Sequence, residues 1–363
     1  MGRPAQVRIA LDALRDNYRW LRERHGGRSF AVLKADGYGH GAVRCAKALS
    51  HGPVQADAFA VAFVDEALAL RAAGITRPIL VLEGAFDADD LAAVHHAGLW
   101  TVIHQASQLD LLASLPESAR LQVWLKLDSG MHRAGFAAPE FRAAWQQLRQ
   151  SERIANVTLM THLARADEPE ALATAAQIRA FDQATAGLEA PRSIANSAAL
   201  LAFPSARRDW GRPGIALYGA NPIAGDDAPL RPVMTLSSRV FAVREVMPGD
   251  AVGYGGTWTA HRRSRLGLVA LGYADGYPRS VSPGTEVLVD GQRCSLAGRV
   301  SMDMLMVDLT DHPQAGVGTE VEFWGESLSV NEAARAAGTI SYALLCGVKR
   351  AGVQVLGEDA GAR

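Results

Sequence analysis

Apolar residues in the first part of the chain fall into short continuous runs, each followed by a stretch with helical spacing. After an extended start at residues 6–9, Leu11, Leu14, Tyr18 and Leu21 recur at helical intervals, and Gly26-Gly27 closes the helix. The runs at 30–33, 58–61, 78–82, 101–103, 123–127, 157–162, 193–195 and 210–212 read as strands. Helical patterns separate them: one through Ala73-Gly74, one around Leu91, one reaching Leu115, one from about Pro139, and a long one over 171–188. Continuous runs suit parallel strands covered on both faces. About eight β/α units in roughly 220 residues predict an N-terminal (β/α)8 TIM-type barrel. A doubly wound open sheet is the alternative, and the number of units favours the barrel.

The pattern changes after Pro222. Short β-rich runs broken by Gly, Pro and Asp follow: SSRVFAVREV, LGLVALGY, TEVLVDGQRCSL, MLMVDL and EVEFWG. One short helix, residues 331–337 behind a capping Ser329, interrupts them, and Asp290-Gly291 reads as a hairpin turn. The expected domains are residues 1–225, the barrel, and residues 226–363, a C-terminal mainly β domain. The stretch NPIAGDDAP, residues 221–229, reads as the linker.

Composition narrows the function classes. A chain of 363 residues with 48% hydrophobic content has enough apolar side chains for a substantial core, and a net charge of −1 provides no basic field for nucleic acid or anionic membrane. Cys45, Cys294 and Cys346 are scattered, without metal-ligand spacing, which argues against a disulfide framework or a metal site and fits a reducing compartment. No apolar run approaches the ~20 residues that span a bilayer, and no signal peptide is visible. A cytoplasmic enzyme is the expectation.

The candidate chemistry lies where the predicted strands end. The stretch AVLKADGYGHG delivers Lys34 from the first strand into a Gly-rich turn, with Tyr38 four residues on. Lys126, Asp128, Ser129 and Arg133 follow the fifth strand, and His162 ends the sixth. Asn196 and Ser197 end the seventh, and Arg212 ends the eighth. Singly, His162 could be a core histidine, Asn196-Ser197 a helix cap and Arg133 a surface ion pair. Together they put polar groups on the barrel face where such enzymes work. Loops after strands seven and eight commonly hold phosphate, with Gly admitting backbone N–H groups. An amine, a phosphate site and no metal-ligand set point to pyridoxal phosphate held as a Schiff base on Lys34. An aldolase-type lysine acting on sugar phosphates stays open from spacing alone.

Nine motifs in order along the whole chain carry a family resemblance. They are AVLKADGYGHG, KLDSGMHRAG, HLARADE, ANSAA, RPGIALYG, VGYGGTW, GYADGYPR, GRVSMDM and ISYALL. With these the sequence resembles the alanine racemases, pyridoxal 5'-phosphate enzymes that interconvert L- and D-alanine for peptidoglycan supply or alanine catabolism. The resemblance implies that Lys34 and Tyr254 are the two catalytic bases on opposite faces of the substrate. It also implies a homodimer with composite active sites, Tyr254 serving the partner subunit. Tyr38, Asn196, Ser197, Gly214, Ile215 and Tyr342 match cofactor-binding positions. Arg212 matches the arginine facing the pyridine nitrogen, with His162 behind it. Arg133 matches a residue that holds cofactor and substrate, Met302 one whose backbone N–H receives the substrate carboxylate, and Tyr273 one beside the substrate passage. Lys126 matches a lysine carbamylated in many members; a lysine paired with a neighbouring acid is the other reading. Lys349-Arg350 takes no role from the resemblance. The rivals are a racemase of different amino-acid preference, a non-catalytic pyridoxal-phosphate carrier, which would lack the second domain, and a decarboxylase of the same two-domain plan.

Overall fold

The computed structural model describes residues 3–357, so the first two and last six positions of the expected domains lie outside the described residues. Two compact units are present. The larger is the barrel. Its strands are Arg28–Val32, Ala58–Val61, Ile79–Val81, Trp100–Ile103, Leu121–Lys126, Ile154–Met160, Arg192–Ser193 and Trp210–Gly211. Each pairs in parallel with the next up to Arg192–Ser193, and Trp210–Gly211 pairs back onto Arg28-Ser29. Strands such as Ala58–Val61 and Ile79–Val81 are buried at every position, as both-face coverage requires. Inside, Phe30, Trp100, Trp124 and Trp210 pack ring to ring with centroids 4.8–6.3 Å apart, filling the barrel with aromatic surface.

The eighth seam is made differently. No ladder joins Arg192–Ser193 to Trp210–Gly211. A single bridge between Asn196 and Arg212 closes the gap, with the Arg212 N–H donating to Ala195 O at 2.9 Å and Ser193 Oγ to Trp210 O at 2.8 Å. The barrel is completed by residues at its mouth.

The second unit is mainly β. Its sheet runs Gln292–Ser295, Glu286–Val289, Glu320–Trp324, Met234–Val246, Gln6–Ala10, Gly352–Leu356. The far half of Met234–Val246 also pairs with Ser264–Val269, which pairs with Leu305–Asp308. The expected hairpin is present: Asp290 and Gly291 have φ of 49 and 75, the left-handed pair a two-residue turn needs. The capped helix is Val330–Ala336, with Ser329 accepting from Asn331 N–H.

Two features differ from the sequence expectation. The first strand, Gln6–Ala10, belongs to the β unit and not to the barrel, while Asn221–Leu230 groups with the barrel. Its partners are more than 220 positions away, antiparallel on one side (Met234–Val246) and parallel on the other (Gly352–Leu356), so local pattern could not assign it. A second helix, Ser341–Gly347, follows the first, burying Leu344 and Leu345; its short apolar spacing gave no periodic signal.

Ile9 is fully buried in that interior strand. Ile9→Ala should destabilise the β unit by about 3 kcal/mol, the usual cost of a deleted core side chain. Urea unfolding of the full chain measures it, and a shift below about 0.5 kcal/mol would place the strand outside the core.

Candidate active site

Lys34 does not sit on the strand itself. The strand ends at Val32, and the chain then enters a left-handed turn, with Ala35, Asp36 and Tyr38 at φ 54, 52 and 52 and Gly37 at 62. Such a conformation costs residues with a Cβ about 1–2 kcal/mol each, so it has to be imposed. Glu66 takes the Ala35 N–H at 2.6 Å, and Asp36 Oδ1 takes the Ala42 N–H at 2.8 Å. The fully buried His40 donates from Nδ1 toward Gly37 O and Tyr38 O, both 2.9 Å away. Both partners are carbonyls, so Nδ1 carries the proton. Burial lowers the His40 pKa to about 4, which keeps the ring neutral. Over-determined strain of this kind gathers at functional sites.

Arg212 anchors the neighbouring strand end. Its side chain is buried, with Nη1 donating to Ser193 Oγ at 2.5 Å and Nη2 to Thr161 O at 2.6 Å, Ile194 O at 3.4 Å and His162 Nδ1 at 3.4 Å. Burial lowers the Arg212 pKa to about 10, and the group remains a cation at neutral pH. A guanidinium only donates, so His162 accepts at Nδ1 and keeps its ring proton on Nε2. Desolvation, with the charges of Arg212, Arg133, Lys126 and Lys34, pushes the His162 pKa well below the usual imidazole range.

Lys126 lies among the same cations. Desolvation lowers its pKa to about 8; Glu83 opposes the shift, and Arg133, Arg212 and Lys34 add to it. Arg133 is exposed, on a loop that Asp128 ties by accepting from the N–H groups of Gly130, Met131 and His132 at 2.9–3.0 Å. Four permanent or potential cations from three strand ends thus converge, with one acidic neighbour.

Beside them is a small cradle. Ser197 Oγ accepts from Gly214 N–H at 2.8 Å and Ala216 N–H at 3.3 Å. A Cβ on Gly214 would collide with the Tyr38 hydroxyl, so a larger residue there would push Tyr38 from its place. Ile215 is buried beneath, and Asn196 caps the helix Ser197–Ala202 through Ala199 N–H at 3.0 Å. Lys34, Lys126, Arg133, His162 and Arg212 are therefore coupled at the mouth, with Tyr38, Ser197 and Gly214 meeting beside them.

The remaining candidates belong to the β unit. Tyr254 stands 66% exposed on a short turn, Tyr254–Gly256. Tyr273 and Met302 lie on adjoining turns, joined by Tyr273 N–H to Ser301 O at 3.1 Å and Ala274 N–H to Met302 O at 3.0 Å. Tyr342 is on the helix Ser341–Gly347.

Sequence reasoning missed the supports: Thr161 and Ser193 under Arg212, Glu66 and His40 around the turn, and Gln177. The Gln177 side chain accepts from Ala164 N–H at 2.9 Å and donates to His162 O at 3.3 Å. His40 alone had a visible signal, being inside the Lys34 motif.

Comparison with known proteins decides the family. The family model described as the alanine racemase N-terminal domain matches residues 9–222, and that of the alanine racemase C-terminal domain matches residues 233–355. The chain belongs to the alanine racemase family. It is thus an isomerase of the amino-acid racemase type, acting on alanine. The alanine racemase of Azoarcus sp. (strain BH72) is 58% identical over 96% of this chain and 98% of its own length. A Pseudomonas putida relative, described as a catabolic alanine racemase, is 52% identical over 98% of this chain and 100% of its own length. The crystal structure of the biosynthetic alanine racemase from Pseudomonas aeruginosa superposes with a TM-score of 0.94 at 45% identity, covering 98% of this chain and 100% of that one. That of the Bartonella henselae alanine racemase, described as having covalently bound pyridoxal phosphate, has a TM-score of 0.90 at 28% identity, covering 98% and 100%. Among the described residues, no helix of this racemase is long and apolar enough to cross a membrane.

The lowered Lys126 pKa has a thermodynamic consequence. Between about 8 and the usual 10.5 the folded chain binds fewer protons than the unfolded one, so stability from this group rises with pH in that window. Below pH 8 the penalty of the buried cation is fully present. Lys126→Met should therefore be more stable than the parent at pH 7.5, by about 1–3 kcal/mol, and lose the advantage by pH 10.5. Urea unfolding of the ligand-free chains in carbon-dioxide-free buffer at the two pH values, where Lys126 is the unmodified amine, measures this.

Proposed function

We propose that this racemase works with pyridoxal 5'-phosphate held at the barrel mouth, and that Lys34 and Tyr254 are its two bases. The observation that carries the proposal is the convergence of Lys34, Lys126, Arg133 and Arg212 beside the Tyr38–Ser197–Gly214 cradle. This donor set fits the cofactor: an amine for its aldehyde, hydroxyl and backbone donors for its phosphate, and cations for its negative charge. Tyr38, Ser197, Gly214 and Ile215, with Asn196 bracing the helix start, would hold the phosphate, and Tyr342 would add a hydroxyl. Arg212, which cannot accept a hydrogen bond, would face the ring nitrogen, with His162 held behind it. Arg133 would meet the phenolic oxygen.

When bound, pyridoxal phosphate supplies a conjugated ring that delocalises the charge left at an amino acid's α-carbon. Inversion at that carbon needs proton exchange on both faces, hence two bases. The Lys34 amine takes the α-proton of D-alanine, and Tyr254 of the partner subunit returns one to the opposite face; the roles exchange in the other direction. The Met302 N–H, which meets no acceptor among the described residues, receives the substrate carboxylate, and Tyr273 flanks the approach. The reading includes a homodimer with composite sites, which the exposure of Tyr254 on its own chain supports. The neutral Lys126 amine adds carbon dioxide, releasing a proton, so that a carbamate faces Arg133 in place of a like charge. Buried Cys45 and Cys294 as free thiols suit the reducing cytoplasm.

Borohydride reduction of the holoenzyme should fix the cofactor to Lys34, read by peptide mass; labelling of another residue would refute the assignment. Tyr254→Phe should lower kcat about 10²–10⁴-fold with cofactor absorbance retained, and near-normal turnover would sink the two-base scheme. The composite sites have their own test. Mixed dimers of Lys34→Ala and Tyr254→Phe chains should regain about half the parental turnover per dimer, since one of their two sites is then intact. Recovery of nothing would place both bases on one chain.

A further inference from the structure

Asp275 has no exposed side-chain surface, and a carboxylate taken out of water needs cations and donors around it. Arg3 meets it with both terminal nitrogens, at 2.5 and 2.6 Å, and Gly272 donates its N–H to Oδ2 at 2.9 Å. That set already balances the charge. Arg350 lies alongside all the same, its Nε 3.7 Å from Asp275 Oδ1 and its Nη2 2.8 Å from Asp303 Oδ1. One guanidinium thus spans two carboxylates on two turns. Asp275 closes the turn that carries Tyr273, and Asp303 directly follows Met302.

The backbone around Arg350 is built for this span. Arg350 has φ 56, in the left-handed region that residues with a Cβ avoid. Lys349, just before it, donates its N–H to Asp275 O at 2.8 Å, which keeps the strained residue against the turn. Stability does not account for the outer contact, because Arg350 and Asp303 are about half exposed and such pairs contribute little. What the contact does have is geometry. It holds Asp303, and with it the Met302 peptide, at a set distance from the Tyr273 turn.

We propose that Arg350 is a positioning residue for substrate: by bridging Asp275 and Asp303 it holds the Met302 N–H where a carboxylate can reach it beside Tyr273. This rests on the reading that the Met302 N–H receives the substrate carboxylate. Arg350→Ala in the holoenzyme should raise KM for both alanine enantiomers, and the inhibition constant of propionate, about tenfold, with kcat changed less than about threefold. Inhibition by ethylamine, which has no carboxylate, should not move. Arg350→Lys, with a charge but no planar fork, should fall between parent and Arg350→Ala. Asp303→Asn leaves the Arg3–Asp275 pair intact and should reproduce the KM effect even if Arg350→Ala folds poorly. Unchanged KM and propionate inhibition in Asp303→Asn, or an Arg350→Ala loss confined to kcat and cofactor content, would overturn the proposal. Met302→Pro, which removes the N–H, separates the two ideas. If it leaves propionate binding intact, the carboxylate reading fails; if it weakens propionate while Arg350→Ala and Asp303→Asn do not, only the positioning role fails.

Discussion

A buried guanidinium keeps its charge, and its N–H groups have to find acceptors that a barrel interior does not ordinarily offer. Arg212 draws those acceptors from two neighbouring strand ends: Thr161 O from one, and the Ser193 hydroxyl and Ile194 O from the next. The same residue carries the single bridge that closes the last seam of the sheet. Barrel closure and the shape of the mouth are therefore one arrangement. His162 follows from it, since a permanent donor at 3.4 Å sets its tautomer, and burial with the surrounding cations keeps it neutral.

On the strand end next to Arg212, the chain accepts local strain to aim Lys34 and Tyr38. Four residues in the left-handed region are affordable only because Glu66, Asp36 and His40 each satisfy backbone groups that the turn leaves without regular partners. Burial lowers the Lys126 pKa, and the cations that face one another there, being mutually unfavourable, lower it further. An anionic ligand relieves that conflict, which is the electrostatic ground for the phosphorylated cofactor proposed above.

The β unit solves a different problem. Its turns at Tyr254, Tyr273 and Met302 are exposed, and exposed turns are the parts of a fold least held by packing. Hydrogen bonds between the Tyr273 and Met302 turns, and ion pairs from Arg3 and Arg350 beneath them, supply the rigidity that a core would otherwise provide. On the proposed mechanism this matters because one base and the carboxylate donor come from these turns, while the other base comes from the barrel.

The repeating apolar runs were enough to read the barrel, its strand ends and the change to β structure after Pro222, because burial on both faces and hairpin turns leave local marks in a chain. Lys34, Tyr38, Arg133, His162 and Arg212 were visible because each follows an apolar run, and the motifs around them pointed to the family. The strand Gln6–Ala10 could not be assigned, since its value depends on partners brought from residues 234–246 and 352–356. The supports at Thr161, Ser193, Glu66 and Gln177 were equally silent: backbone carbonyls carry no sequence signal, and a polar side chain acquires its role only from what packs against it. Arg350 was an unassigned cation in the sequence, and it became a bridge only once folding set Asp275 and Asp303 on either side of it. Local chemistry along the chain determined which residues were available, and long-range pairing decided which of them met.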